Sequence, residues 1–414
     1  MVVKRKAPAD RGKGAENMRE TRSREGTELR VLEVIGGAIK NRGQDGFVRS
    51  LVLNLDREGL RIDCLVPYDC PFPEYKKSIE ESGAGLYELG LPYMPERSVN
   101  YLYRPFLGFL REHPYDIIHV HSSKTTMMAM VATAAKKAGL PHVVIHAHNG
   151  GSRETIRHRL LRWLGDRSMR DRVELYCACS RSAAEWKFAG KYAERAVVIK
   201  NGIDAKRFRF DPAARKDIRD RLGIPPDVFV VGNTGSLTAQ KNQTFLLQVF
   251  SAVAAEDPSA VLLLVGGGED RDMLERIVEH LDLSDKVIFT GNVSDVESWL
   301  QAMDVFVFPS LFEGFGIAAL EAQAAGLPVI ASDNVPEEIA VTDHARFLSL
   351  EEDARKWAGE ALKCRNAERR DHSDAVRQAG YDICETADFV KELYRKLEKG
   401  ENRANSGSAG RDGE

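Results

Sequence analysis

The chain has 414 residues, 43% hydrophobic and 8% aromatic, enough apolar material for more than one buried core. A formal net charge of −3 at pH 7 gives no overall pull toward nucleic acid, so no such partner is expected and any basic surface must be local. The six cysteines (Cys64, Cys70, Cys177, Cys179, Cys364, Cys384) form no C-x-x-C pair, which excludes a cysteine-knuckle metal site and fits free thiols in a reducing compartment.

Residues 1–28 hold Lys4, Arg5 and Lys6 with no apolar run behind them, so they do not read as a secretory signal. They and residues 399–414 are poor in large apolar side chains and are expected to be disordered tails. No apolar stretch reaches the roughly 20 residues that cross a bilayer, and a cytoplasmic protein is expected.

From Leu29 onward, short Val/Ile/Leu/Phe runs alternate with helix-period segments. Strands are expected at Leu29–Ile35, Arg61–Val66, Asp116–Val120, His142–His146, Leu175–Cys179, Val228–Asn233, Val261–Val265, Lys286–Phe289, Val305–Phe308 and Pro328–Ala331. Continuous apolar runs, rather than strict alternation, suit strands covered by helices on both faces. Crossover helices such as Phe245–Ala255 and Glu269–His280 fit between them, which predicts parallel doubly wound sheets. Ten strands are too many for one compact core, and Asn-Gly, Asp-Pro and Pro-Pro pairs between Asn201 and Pro226 mark a break, with a linker near 202–212. The expected fold is therefore α/β, with two Rossmann-like doubly wound parallel-sheet domains facing a cleft. They span 29–205 and 206–398, the last helix packing back on the first domain. Ligands of such sheets bind beyond the carboxyl ends of the strands, so the loops there should carry the chemistry.

Four segments stand out. In Pro309-Ser310-Leu311-Phe312-Glu313-Gly314-Phe315-Gly316-Ile317-Ala318-Ala319-Leu320-Glu321, a buried strand runs through two glycines into a helix. The helix N-terminus offers backbone N–H groups to a phosphate, and Glu313 and Glu321 can accept from vicinal hydroxyls of a sugar; two ordinary surface glutamates would have the same spacing. Gly232-Asn233-Thr234-Gly235-Ser236-Leu237-Thr238-Ala239-Gln240-Lys241-Asn242 is again a strand–loop–helix junction. Lys241 can place a charge on a diphosphate, but neither a Walker A motif nor a dinucleotide glycine fingerprint is present. In His146-Ala147-His148-Asn149-Gly150-Gly151, only one histidine is expected to face the ligand side directly, and no third metal ligand of suitable spacing is evident, so no metal is expected. The segment 153–172 carries seven arginines among Ile156, Leu160, Leu161, Trp163 and Leu164. It suits either a basic amphipathic helix on an anionic membrane surface or the arginine-rich exterior of a core helix.

At these motifs the chain resembles the retaining family-four glycosyltransferases of GT-B fold. Glu313 to Glu321 is similar to their E-x7-E signature. Ser180, Asn201-Gly202-Ile203-Asp204, the stretch Asp304–Ser310 and the stretch Glu321–Asp333 are similar to further family elements, and the likeness runs from about Leu29 to Leu397. Within the family it most resembles the branch that builds capsular and exported polysaccharides.

The resemblance implies transfer of a hexose or N-acetylhexosamine from a nucleotide-sugar donor, with UDP-sugar expected, to a glycan or lipid-linked acceptor. It implies no cofactor and no metal, and peripheral contact with the inner face of the membrane through 153–172. Glu313, Lys241 and His148 are the implied catalytic residues. Gly235, Ser236, Lys241, Val293, Glu313, Gly314, Phe315, Gly316, Ile317 and Glu321 would bind the donor, with Glu321 on its ribose and Val293 against its base. The loop Gly36–Asp45, with Gly43 and Gln44, would close over the diphosphate. Two positions depart from the family pattern: Ser236 stands where a second clamp cation is usual, and Gly43-Gln44 where a glycine pair is usual. Two other readings share the architecture, a nucleotide-sugar epimerase and a non-catalytic nucleotide-sugar-binding module. Hydride transfer is disfavoured because neither half has the glycine fingerprint after its first strand.

Overall fold

The computed structural model describes residues 28–39, 43–94, 97–148, 150 and 156–401. Of the expected tails (1–28 and 399–414), residues 1–27 and 402–414 lie outside the described residues, whereas Glu28 and 399–401 are described. Residues 40–42 of the first loop, Asn149, Gly151 and Arg153 also lie outside them, as do the side chains of Ile156 and Leu161.

The described residues form thirteen strands: β1 Leu29–Ile35, β2 Leu60–Val66, β3 Gly85–Glu88, β4 Ile117–Ser122, β5 His142–Ala147, β6 Leu175–Ala178, β7 Val197–Val198, β8 Val230–Thr234, β9 Val261–Val265, β10 Val287–Gly291, β11 Val305–Phe308, β12 Val329–Ser332 and β13 Ala345–Leu348. They make a seven-stranded sheet, β3-β2-β1-β4-β5-β6-β7, and a six-stranded sheet, β10-β9-β8-β11-β12-β13. Pairings are parallel, for example Val31 opposite Ile62 and Ile117, and Val231 opposite Leu262 and Val305. Helices connect the strands, so the fold is two Rossmann-like α/β domains, as the alternating pattern predicts.

The ten expected strands form, within a residue or two at their ends. The three additional strands, β3, β7 and β13, lie at sheet edges. An edge strand makes one ladder and is only partly covered, so it needs no long apolar run. Val197–Val198 is two residues long, and Ala345–Leu348 is at best half-buried.

The chain divides into two compact units, 1–146 with 165–175 and 391–414, and 147–164 with 176–390. In the second unit, Phe229, Val231, Leu262, Leu264, Val305 and Val307 of the sheet region join Leu246, Phe250 and Trp357 in one buried cluster. The helix Gln243–Glu256 contributes Leu246, Val249, Phe250 and Val253 to it, the one-face spacing expected of a crossover helix.

Each sheet reverses its winding direction at one point, between β1 and β4 in the larger and between β8 and β11 in the smaller. At such a point the two adjacent connections leave toward opposite faces and open a crevice at the carboxyl ends of the strands. The loops after β8 and β11 are those that carry Lys241 and Glu313.

Candidate functional site

In the second unit, the β8 loop is held against its neighbours by backbone bonds from Gly235 N to Val265 O at 2.9 Å and from Leu237 N to Gly267 O at 3.2 Å. Gln243 donates through Nε2 to the carbonyl of Ser236 at 2.9 Å, fixing the loop where it enters the helix. Asn233 donates from β8 to Val307 O on β11 at 2.8 Å, and Asn242 donates to Pro309 O at 3.1 Å, so the two loops are registered on each other.

The result is a direct contact between two residues far apart in sequence. Lys241 Nζ lies 2.6 Å from Glu313 Oε1, and the side chains are only 17% and 8% exposed. Gln240 bonds Phe312 O at 3.0 Å and approaches Glu313 Oε2 at 3.4 Å, while Leu311 N donates to Gln240 O at 2.8 Å. The lysine ammonium also sits 4.7 Å from the centre of the Phe308 ring, a cation–π contact that keeps the charge at the end of β11. A short, largely buried ion pair of this kind contributes little net stability, because desolvation of the two charges offsets their attraction. It does hold a cation and a carboxylate ready for a polar ligand.

After Glu313 the chain turns at Gly314-Phe315-Gly316 into the helix Ile317–Ala324. Gly316 has φ 105°, a conformation that favours glycine, and a Cβ there would stand tight against Val335 at 3.2 Å and Phe308 at 3.4 Å. Phe315 is buried, its ring 4.8 Å from that of Tyr381, so its side chain anchors the turn while the backbone N–H groups of 315–317 stand at the helix start. Glu321 follows one turn later, half-buried. Burial first, then the nearby Glu297 carboxylate, push its pKa up to about 8, against the opposing charges of Arg207 and Lys241. In the ligand-free protein near neutral pH this carboxyl is therefore largely protonated.

Two residues that motif spacing does not place here position the turn. Ser180 donates through Oγ to Gly314 O at 2.6 Å, with Cys179 Sγ 3.5 Å from the same oxygen. Gly150 lies so close that a Cβ would stand 2.7 Å from Glu313 O. The family resemblance marks Ser180 and the segment His146–Gly151 contains Gly150, but neither signal places them against this turn, which packing alone decides.

The remaining expected site residues are placed individually. Ser236 and Val293 are half-buried on the loops after β8 and β10. Asn292, beside Val293, accepts from Gly267 N at 3.0 Å. His148 is half-buried, whereas His146 is wholly buried. Two residues apart in a strand would share a face, and the pair differ because β5 ends at Ala147 and His148 lies beyond it. In the first unit, Gly43 caps the helix Gln44–Asn54 and Gln44 donates to His121 O at 2.8 Å, which fixes the end of the first loop on β4.

The first unit also holds a buried polar group. Glu33 on β1, His119 and His121 on β4, and His146 on β5 are all 0% exposed. Glu33 stands in register with His119; Glu33 Oε2 is 2.7 Å from His121 Nε2 and 3.3 Å from His119 Nδ1. Burial by itself would raise Glu33, but charge and hydrogen bonds from His119 and His121 hold it well below the usual carboxylate range. His146 is thus not isolated. The further imidazoles that linear spacing did not reveal come from a strand more than twenty residues earlier.

Residues 214–380 match the family Glycosyl transferases group 1, and residues 42–207 match Glycosyltransferase Family 4. EpsF of Bacillus subtilis is 27% identical over 387 residues, covering 91% of this chain and 99% of that protein. The UDP-Gal:alpha-D-GlcNAc-diphosphoundecaprenol alpha-1,3-galactosyltransferase of Escherichia coli is 32% identical over 235 residues, 54% of this chain and 59% of that one. Among solved structures, Anabaena HepE in complex with UDP-glucose superposes with a TM-score of 0.71 at 20% identity, covering 88% of this chain and 99% of that one. Sucrose-phosphate synthase from Thermosynechococcus elongatus gives 0.68 at 21% identity, covering 90% and 100%. At these identities the structural likeness establishes the fold.

Proposed function

Because the chain belongs to the family-four glycosyltransferases of GT-B fold, we propose that it moves a hexose or N-acetylhexosamine from a UDP-sugar, with retention of anomeric configuration, to a glycan or lipid-linked acceptor in surface-polysaccharide synthesis. The observation that carries this reading is the Lys241–Glu313 pair beside a glycine turn and helix N-terminus. Two relatives support the donor and acceptor classes: the Escherichia coli enzyme is named for UDP-Gal and a diphosphoundecaprenol acceptor, and HepE is a complex with UDP-glucose.

Cleavage of the anomeric bond leaves negative charge on the departing diphosphate and positive charge on the sugar. Lys241 and the N–H groups of Phe315, Gly316 and Ile317 would stabilise the first charge, already oriented before the reaction. Glu313, released from Lys241 as the diphosphate takes the ammonium, would turn to the sugar hydroxyls. Glu321 would bind the ribose hydroxyls, Val293 would lie against the base, and His148 would face the transferred sugar. With charge neutralised by protein groups, the step needs no metal, and the leaving phosphate would accept the acceptor's proton in front-face attack.

The helix Ile156–Met169 has Leu160, Trp163 and Leu164 exposed by 54%, 54% and 47%. Among the described residues no helix is long and apolar enough to cross a membrane. An exposed apolar stripe beside arginines fits peripheral contact with an anionic leaflet, where a lipid-linked acceptor would be met.

Ser236, in place of the family's second cation, favours one other reading, a module that binds the nucleotide-sugar without turnover. Thermal-shift screening with UDP-, GDP- and ADP-sugars, followed by transfer assays on wild-type and Glu313→Ala proteins, separates the two. Binding with no transfer to any lipid-linked acceptor, or polymer production in cells unaffected by Glu313→Ala, establishes the module instead. Appearance of an epimerised UDP-sugar without acceptor would establish an epimerase.

A further inference from the structure

The buried imidazoles of the first unit bring their nitrogens close together. His119, His121 and His146 each place one ligating nitrogen within 4.8 Å of the others. Ring centroids are 4.1 Å apart for His119 and His121, 5.1 Å for His121 and His146, and 5.4 Å for His119 and His146. His119 and His121, two apart on β4, share one face of the strand, and Phe47 closes the group with its ring 5.6 Å from that of His146.

The outer partners fix how two of the rings stand. His121 Nε2 meets Glu33 Oε2 at 2.7 Å, and His119 Nδ1 meets the Tyr394 hydroxyl at 2.6 Å. Tyr394 in turn donates to Glu33 Oε1 at 2.5 Å. His119 is thereby oriented through Nδ1, while its Nε2 is buried and has no hydrogen-bond partner among the described residues. An imidazole nitrogen left so in a core costs on the order of 1–3 kcal/mol, a cost that an aliphatic residue at the same place would avoid. Metal-binding histidines, by contrast, are oriented through their second nitrogen by a carboxylate, hydroxyl or carbonyl.

We propose that His119, His121 and His146 hold one divalent transition-metal ion of the zinc class, with Glu33 and Tyr394 as the partners that orient His121 and His119. Three neutral imidazoles are a donor set suited to zinc. Tetrahedral geometry with Zn–N of about 2.0–2.1 Å sets the nitrogens roughly 3.4 Å apart, inside the 4.8 Å within which they already lie. The ion would join β4 to β5 directly, and through Glu33 and Tyr394 would hold β1 and residues 391–398 of the C-terminal helix. Its role would be structural. All of its ligands belong to the first unit, whereas Lys241, Glu313 and Glu321 belong to the second.

The test uses the untagged full-length chain purified without chelator. Metal content is measured by elemental mass spectrometry, then again after chelator treatment and titration with Zn²⁺ or Co²⁺. About one equivalent per chain is expected, with the visible absorption of nitrogen-ligated tetrahedral Co²⁺ and a metal-dependent rise in Tm. His119→Ala and His146→Gln should each fall below about a tenth of an equivalent, with circular dichroism reporting whether they remain folded. Tyr394→Phe keeps every ligand and should weaken binding by about 10- to 100-fold, a readout that survives if the histidine variants do not fold. Less than a tenth of an equivalent in the wild type, both as purified and after titration, overturns the proposal. So does unchanged stoichiometry in folded His119→Ala and His146→Gln proteins, or unchanged affinity in Tyr394→Phe.

Discussion

Replacing Glu321 by glutamine should stabilise the ligand-free protein at alkaline pH and leave it nearly unchanged at acidic pH. Burial and Glu297 raise this carboxyl from 4.5 to about 8 in the folded chain. The unfolded chain ionises near the ordinary value, so between those two pH values folding must take up a proton. The resulting penalty is absent below about pH 4.5, grows as pH rises, and levels off above pH 8. At about 1.4 kcal/mol per unit it amounts to roughly 3 kcal/mol at pH 7 and about 5 kcal/mol above pH 8. Glutamine keeps the shape and the neutral charge of the protonated acid, and so removes the penalty.

All four tryptophans (Trp163, Trp186, Trp299, Trp357) lie in the same unit as Glu321, so tryptophan fluorescence follows the relevant unfolding. For a unit of this size, 3–5 kcal/mol corresponds to a Tm higher by roughly 6–20 °C. That increase should be seen for Glu321→Gln over wild type at pH 8.5, and should shrink toward zero at pH 5. Parallel curves for the two proteins from pH 5 to 9 would refute the reasoning, because the carboxyl would then titrate alike in folded and unfolded chains.

Other outcomes test the donor site piece by piece. Ser236→Arg should tighten UDP binding about tenfold at low salt, or about 1.4 kcal/mol, with the gain fading as salt rises; calorimetry at two ionic strengths decides it. Lys241→Ala should lower kcat by about 10²–10³, as expected when one group opposing the leaving-group charge is removed. Glu313→Gln should weaken UDP-sugar far more than UDP, which competition binding can separate. Ser180→Ala removes the bond to Gly314 O and should cost about 1–2 kcal/mol of stability in denaturant titration.

The linear chain determined what depends on local pattern. Apolar runs such as Val261–Val265 and Val305–Phe308 are strands in the structure because each is covered on both faces. The glycine turn at Gly314–Gly316 was legible because it joins such a run to a helix. Short edge strands were not legible, since Val197–Val198 and Ala345–Leu348 take their register from neighbours rather than from their own residues. The winding reversal between β8 and β11 brought Lys241 onto Glu313, 72 residues away. Packing in the second unit set Ser180 and Gly150 against the same turn, and the first sheet gathered His119, His121 and His146. Spacing reports which groups share a face of one element. Which elements become neighbours is decided by sheet order and by burial of the whole chain, and those contacts exist only once it is folded.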